Sequence, residues 1–332
     1  MLHNIYQRLG DELSRQIYKS RLLYSLTADY NEVAQIVGTT KQASLLKKTT
    51  GEDPCIIWGA GYWGRMIKRG LPDINWKYYV DNAPKDAVME GLQVHPSSAF
   101  LSHYKNEYVI IAVILYGDEI ERQLLSYGVQ KEKIIRVGDY IAELEQQQYF
   151  DLQELSHDQE EVFIDVGCFD GMTVRNFLKW CGNQYKEIVS FEPDEVCYKK
   201  CKETLADVHK YTIINKGLWS KENTLCFSAT GDSNSKVTDS GDSVIRVCTL
   251  DDVLNGRRAT FIKMDIEGAE KEALSGAQKI ISEQKPKLAI SIYHKKEDIW
   301  ELPRLILNMN PQYQLYLRHY SLRDAETVLY AI

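Results

Sequence analysis

Apolar and polar positions along the chain follow two periods, two residues in some stretches and 3.6 in others, and the switches between them mark the elements. From Cys55 the order is the apolar run CIIW, a glycine turn, GRMIKRGL at helical spacing, KYYVD, a loop holding Pro84 and Pro96, YVIIAV, the helical GDEIERQLLSYGV and KIIRV. That alternation predicts a small α/β domain over 51–141 with three or four parallel strands. Ahead of it, Ile5, Leu9, Leu13 and Ile17, then Leu22 and Leu23, predict a helical lead-in over 1–50 that ends near TTGEDP.

Residues 142–160, from the polar stretch AELEQQQYFDLQELSHDQEE, carry few strand signals and read as a linker between two domains. A second alternation follows over 161–332. Strands are expected at 162–166, 187–191, 211–215, 260–265 and 287–293, with helices at 172–181, 194–205, 269–283 and 297–308. A β-rich insert is expected at 223–248, followed by TLDDVL, whose Thr249 and Asp251 suit a helix start. The closing YQLYLRHYS and ETVLYAI have no long helix between them and read as an antiparallel hairpin.

Charge and composition narrow the function classes. The formal net charge is -7 and no long Lys/Arg stripe is present, so the electrostatic footprint of nucleic-acid binding is missing. The longest apolar stretch, VIIAVILY at 109–116, is well short of the roughly 20 residues that span a bilayer. The start, MLHNIYQRLGDELSRQ, lacks the apolar core and cleavage site of a signal peptide, and the seven cysteines follow no framework spacing. These features predict a cytoplasmic protein with free thiols. Cys197 and Cys201 stand i,i+4 on a predicted helix and read as a buried face, since no second pair accompanies them as a metal site would need.

The chemistry is expected at the turn DVGCFDG. Gly167 and Gly171 allow a tight turn off the strand and a close backbone approach to a ligand, with Asp165 offering a carboxylate at the strand end. The next strand ends in FEPD, and Glu192 stands where an acid can accept both hydroxyls of an unmodified ribose. Phe169 occupies the place of a middle glycine, which disfavours a pyrophosphate on the helix N-terminus and points to S-adenosylmethionine rather than NAD.

Over roughly 160–332 the chain resembles the FkbM-type S-adenosylmethionine-dependent methyltransferases, through DVGCFDG, SFEPD, INKGLW, TLDDVL and FIKMDIEGAE in order, and through the closing YLRHYS and ETVLYAI. The resemblance implies a class I methyltransferase fold, a seven-stranded sheet whose last strand is antiparallel. It implies a cofactor site of Asp165, Gly167, Cys168, Phe169, Asp170, Gly171, Glu192, Pro193, Gly217, Leu218 and Asp265. Many relatives carry Ala-Asn where this chain has Cys168 and Phe169.

In open α/β sheets ligands bind outside the carboxyl ends of the strands. There, His294 is the first choice for a general base that helps a hydroxyl attack a sulfonium methyl group. Asp265 is either a second base, a partner for the methionine ammonium, or the group that orients His294, and Glu267 joins this catalytic set. Tyr293, Arg318 and His319 are expected to hold the acceptor. Asp, Glu and His are good ligands for divalent ions, but one sequence does not bring them together, so no metal is expected.

Gly59, Gly61 and Gly64 complete a G-x-G-x-x-G after a strand, and Asp81 ends the next strand. This first domain is Rossmann-like yet short of a full dinucleotide fold, and it resembles modules attached to sugar acyltransferases and sugar C-methyltransferases. It predicts a second, nucleotide-like site, where Trp58, Tyr62 and Trp63 either stack on a ligand or pack the domain. The reading is an O-methyltransferase acting on a hydroxyl of a saccharide, a nucleotide-sugar-linked acceptor or a secondary metabolite. The alternatives are an NAD-dependent sugar-modifying oxidoreductase and a non-catalytic nucleotide-sugar-binding module.

Overall fold

A computed structural model describes residues 2–228, 236–238, 241 and 243–332. The rest of the β-rich insert expected at 223–248 lies outside the described residues. The chain divides into two compact units, one formed by residues up to Tyr18 with Gln147–Arg318 and Glu326–Ile332, the other by Lys19–Gln146 with His319–Ala325.

In the second of these units, β1 (Cys55–Trp58), β2 (Trp76–Asp81), β3 (Val88–Met89), β4 (Leu92–Pro96), β5 (Tyr108–Ile111) and β6 (Ile134–Arg136) form one sheet in the order β3-β4-β2-β1-β5-β6. All neighbours are parallel except β3 with β4. Five parallel strands therefore stand where three or four were expected. The missed strand is β4, which lies in the Gly- and Pro-rich stretch that read as a loop and pairs Tyr79 with Val94. Its buried centre is Ile56, Trp58, Val80, Phe100, Val109 and Ile111.

The other unit holds β7 (Val162–Val166), β8 (Glu187–Phe191), β9 (Tyr211–Ile214), β14 (Phe261–Met264), β15 (Lys287–Ser291), β16 (Leu315–His319) and β17 (Thr327–Ala331), in the order β16-β17-β15-β14-β7-β8-β9. The first five of these in the chain are parallel, and β17 runs antiparallel to β15. The expected closing hairpin and antiparallel last strand are present. Between β9 and β14 a four-stranded sheet is built from β10 (Gly217–Leu218), β11 (Asn223–Ser228), β12 (Lys236–Val237) and β13 (Ser243–Cys248). Central strands are buried on both faces, as crossover helices require.

Three expectations change. The helix expected over 269–283 is two, Glu270–Ser275 and Gln278–Gln284. They part around Gly276, where a Cβ would lie 2.0 Å from the carbonyl oxygen of Trp219. The 1–50 lead-in is four helices, Leu2–Gln7, Glu12–Thr27, Tyr30–Gly38 and Lys41–Thr50, the last two capped by Asp29 and Thr40. The 142–160 stretch is no linker. Its first residues complete the helix Val137–Gln147, and Tyr149, Phe150, Leu152 and Leu155 are buried. The Phe150 ring packs against Phe163, Phe177, Trp180 and Phe261, so a few apolar side chains outweigh a polar composition.

Candidate active site

The strand order places β7 and β14 side by side at the middle of the seven-stranded sheet, and their carboxyl ends carry the turns DVGCFDG and DIEGAE. Gly167 takes φ +76, and a Cβ there would lie 2.1 Å from the carbonyl oxygen of Asp265, so only glycine lets the two turns approach. Phe169 also has positive φ, +49, an unusual state for an aromatic residue. Its conformation is held by a hydrogen bond from the Phe169 N–H to Glu192 Oε2 at 3.0 Å. The other carboxylate oxygen of Glu192 accepts from the Asp194 N–H at 2.9 Å. Each oxygen keeps a second lone pair, so the side chain is fixed and still able to receive a diol. Burial pushes the Glu192 carboxyl up to about 7, against the pull of the two backbone N–H groups.

FEPD thus divides its acids. Glu192 faces the turn, while Asp194 caps the helix Glu195–Thr204 by accepting from the N–H groups of Val196 and Cys197. Pro193 stands beside them, partly exposed, its carbonyl accepting from Asn215. Gly217 lies close by, where a Cβ would meet the Pro193 Cβ at 3.8 Å, whereas Leu218 is buried in the small sheet.

Several expected cofactor contacts turn inward. Asp165 has no exposed surface and pairs with Lys263 at 3.2 Å, so it supports the turn from below and does not reach a ligand. Burial pushes its carboxyl up against the attraction of Lys263. Lys263 also donates to the carbonyl of Gly167 at 2.6 Å, which ties the ion pair to the turn. The Cys168 thiol is buried with its Sγ 3.2 Å from Cys201 Sγ, and Cys197 is buried on the same helix. Asp170 accepts from the Met172 N–H at the helix start, with Lys200 3.5 Å away. At Gly171, φ is +85 and a Cβ would meet the Leu205 Cγ at 2.9 Å.

At the ends of β14 and β15 the structure brings Asp265, Glu267, Tyr293 and His294 together. His294 Nε2 lies 3.4 Å from Asp265 Oδ1 and 3.5 Å from Glu267 Oε1, and Nδ1 lies 2.9 Å from Glu270 Oε1. The Tyr293 ring sits 4.1 Å from the imidazole, and burial pushes its phenol far up. Burial by itself would lower the His294 pKa, but Glu267, Glu270 and Asp265 outweigh it and raise it to about 11. With no cation among these acids, an imidazole so surrounded is held in its protonated form and cannot take a proton, so the expected base role of His294 does not follow from this geometry.

Arg318 and His319 do not join this group. Arg318 donates to Asp11 Oδ2 at 2.6 Å and to Ser14 Oγ at 3.2 Å, which fastens the N-terminal segment of its own unit. His319 is buried and bonded to the carbonyl of Arg323 at 2.9 Å, and burial with Arg21 nearby drives its pKa down to about 3. Both sit on β16, with β17 between them and β15.

Tyr149, Lys263 and Glu270 were missed. Tyr149 donates to Asp265 Oδ2 at 2.8 Å from a segment that carried no strand or motif signal. Lys263 had one, a lone charge inside the apolar run FIKM. Glu270 stands in the first turn of the helix Glu270–Ser275, yet it is 1% exposed and its Oε1 accepts from the Ile266 N–H at 3.0 Å.

In the other unit, Asp81 Oδ2 accepts from the Ala60 N–H at 2.7 Å. A Cβ on Gly64 would lie 2.0 Å from the carbonyl oxygen of Gly59, which explains the third glycine as a helix–strand contact. Gly61 is the N-cap of the helix Tyr62–Gly70. Trp58 is core, packed on Phe100; Trp63 packs on Tyr62 and lies under the Arg323 guanidinium; Tyr62 is 55% exposed.

A central strand ending in a glycine turn, a neighbour ending in a buried acid bonded to that turn, and an antiparallel seventh strand define a class I methyltransferase. Residues 165–320 match the family described as Methyltransferase FkbM domain, and this half of the chain is an FkbM-family methyltransferase domain. Residues 51–135 match a family described as C2185-like, N-terminal. A 2-O-methyltransferase, NoeI, of Sinorhizobium fredii (strain NBRC 101917 / NGR234) is 22% identical over 183 residues, covering 47% of this chain and 73% of the relative. The crystal structure of methyltransferase FkbM from Methylobacillus flagellatus KT superposes with a TM-score of 0.54 at 18% identity, covering 94% of this chain and all of that one, which supports the fold. The matches favour neither an oxidoreductase nor a purely binding module.

Proposed function

We propose that the protein transfers a methyl group from S-adenosylmethionine to a hydroxyl of a saccharide or other small molecule. The observation that carries this is the Glu192 carboxylate, held by the N–H groups of Phe169 and Asp194 with a lone pair left on each oxygen for the two ribose hydroxyls. Gly167 lets the turn approach the Asp265 carbonyl, Gly217 lies against Pro193, and Lys263 with Asp165 stiffens the turn from beneath. When bound, S-adenosylmethionine supplies a methyl group made electrophilic by its sulfonium and departs as a neutral thioether.

The acceptor is read as lying at Asp265, Glu267 and Tyr293. Its hydroxyl oxygen is the nucleophile, and its proton passes to Glu267, whose side chain is 29% exposed and the most open carboxylate of the group. Similarity to a 2-O-methyltransferase supports oxygen as the atom methylated. Calorimetric titration of the full chain with S-adenosylmethionine and with NADH tests the reading. Heat with the former alone is expected; heat with NADH alone would sink it.

The 51–141 unit is assigned a sugar- or nucleotide-binding site of its own. Gly59 follows β1, whose neighbours β2 and β5 extend the sheet in opposite directions, a switch point where α/β sheets bind ligands. Tyr62 and Tyr116 are 55% and 58% exposed in the segments that follow β1 and β5. Saturation-transfer NMR with a uridine diphosphate sugar should show contact that Tyr62→Ala weakens; contact unchanged in that variant would remove the assignment.

A further inference from the structure

Three carboxylates and one imidazole converge at the ends of β14 and β15, and their hydrogen bonds do not close among themselves. One ligand atom each from Asp265, Glu270 and His294 lies within 4.8 Å of the others. The side chains of Glu270 and His294 are 1% and 7% exposed. Yet among the described residues Asp265 Oδ1, Glu270 Oε2 and both ring nitrogens of His294 are buried without a hydrogen-bond partner of acceptable geometry. Buried polar atoms are nearly always satisfied, and four orphans in one cluster call for a partner other than these side chains, to which His294 would offer one of its two ring nitrogens.

The anchoring of the two acids sharpens the point. Asp265 has one oxygen, Oδ2, held by the Tyr149 hydroxyl at 2.8 Å, which leaves Oδ1 toward His294 at 3.4 Å. Glu270 has one oxygen, Oε1, held by the Ile266 N–H at 3.0 Å, which leaves Oε2 unpartnered. A carboxylate with one oxygen fixed by a neighbour and the other bare is how outer groups orient ligands around a metal.

We infer that Asp265, Glu270 and His294 bind one divalent metal ion. Carboxylate oxygens with a single imidazole suit Mn²⁺ or Zn²⁺, whereas Mg²⁺ favours oxygen ligands and retained water; the ion displaces to solvent the ring proton that the acids hold on His294 in its absence. Asp265 is 22% and Glu267 is 29% exposed, so one side of the cluster stays open for a further ligand. Ion binding stands on the cluster alone; its use, polarising the acceptor hydroxyl and lowering its pKa before Glu267 takes the proton, rests on the methyl-transfer reading.

The test is a calorimetric titration of the full chain, freed of metal by chelator and dialysis, with MnCl₂ and with ZnCl₂, in the absence of cofactor and acceptor. One equivalent of at least one of these ions is expected. His294→Ala and the nearly isosteric Glu270→Gln should each weaken it by about tenfold or more, with folding checked by circular dichroism. No saturable binding of either ion at millimolar concentration to the folded parent overturns the inference, as does undiminished binding in both variants. Because S-adenosylmethionine is absent from this titration, its outcome is separate from that of the methyl-transfer test.

Discussion

The Glu192 carboxylate accepts a hydrogen bond from the backbone N–H of Phe169, a residue held at φ +49 in the turn after the neighbouring strand. One side chain thereby shapes the glycine turn and presents acceptor lone pairs beside it. The 51–141 unit repeats the relation with Asp81 and the Ala60 N–H. Two acids at the ends of second strands, 111 positions apart by number (192 − 81), serve their glycine turns in the same way.

Removing that acid should cost cofactor affinity. Glu192→Ala is expected to weaken S-adenosylmethionine binding by about 1.5–3 kcal/mol, the range for hydrogen bonds to a charged partner. Calorimetry on a folded variant checks it, and unchanged affinity would show that the ribose is held elsewhere.

The same residue predicts a pH dependence. Burial raises the Glu192 carboxyl to about 7, so it is protonated on the acid side of that value in the cofactor-free protein. Hydroxyl donors prefer the carboxylate form, so binding should tighten as pH rises through about 7 and level off above it. Measured affinities between pH 6 and 8 should show this limb in the parent and lose it in Glu192→Gln.

Beneath the turn, Lys263 and Asp165 are 3% and 0% exposed. Lys263→Met leaves Asp165 buried and uncompensated, a loss of about 3–5 kcal/mol. Urea unfolding measures it. Adding Asp165→Asn should recover much of the loss, and failure to recover any would show that packing of the lysine, not its charge, is what matters.

Gly167→Ala should be poorly tolerated. Its Cβ would stand 2.1 Å from the Asp265 carbonyl oxygen, at φ +76 where alanine is strained, so the turns after β7 and β14 must part. A lowered melting temperature together with weakened S-adenosylmethionine binding is expected, and parent-like values for both would contradict the contact.

Arg318→Leu separates the structural reading of that residue from an acceptor role. Its guanidinium holds Asp11 and Ser14, so the variant should unfold at lower urea while keeping its affinity for S-adenosylmethionine. Parent-like stability would restore Arg318 as a candidate for the acceptor.

What the sequence determined by itself is what local pattern and ordered spacing encode. Alternating apolar and amphipathic runs located every strand of the seven-stranded sheet, the lack of a long helix before ETVLYAI marked the antiparallel closing strand, and DVGCFDG with FEPD marked the turn and its acid. Where composition misled, burial was the reason. Tyr149 and Phe150 sit in a glutamine-rich stretch yet pack into the methyltransferase unit, and β4 is flanked by residues that usually make loops. Side-chain direction was invisible as well. Asp165, Cys168, Arg318 and His319 all occupy strand ends or turns, but the pleat and the neighbouring helix point them at Lys263, Cys201, Asp11 and the Arg323 carbonyl. Only the tertiary structure decided the charge state and company of His294, because that depends on three acids placed around one imidazole by two strands whose separation in sequence says nothing of their 3 Å contacts in space.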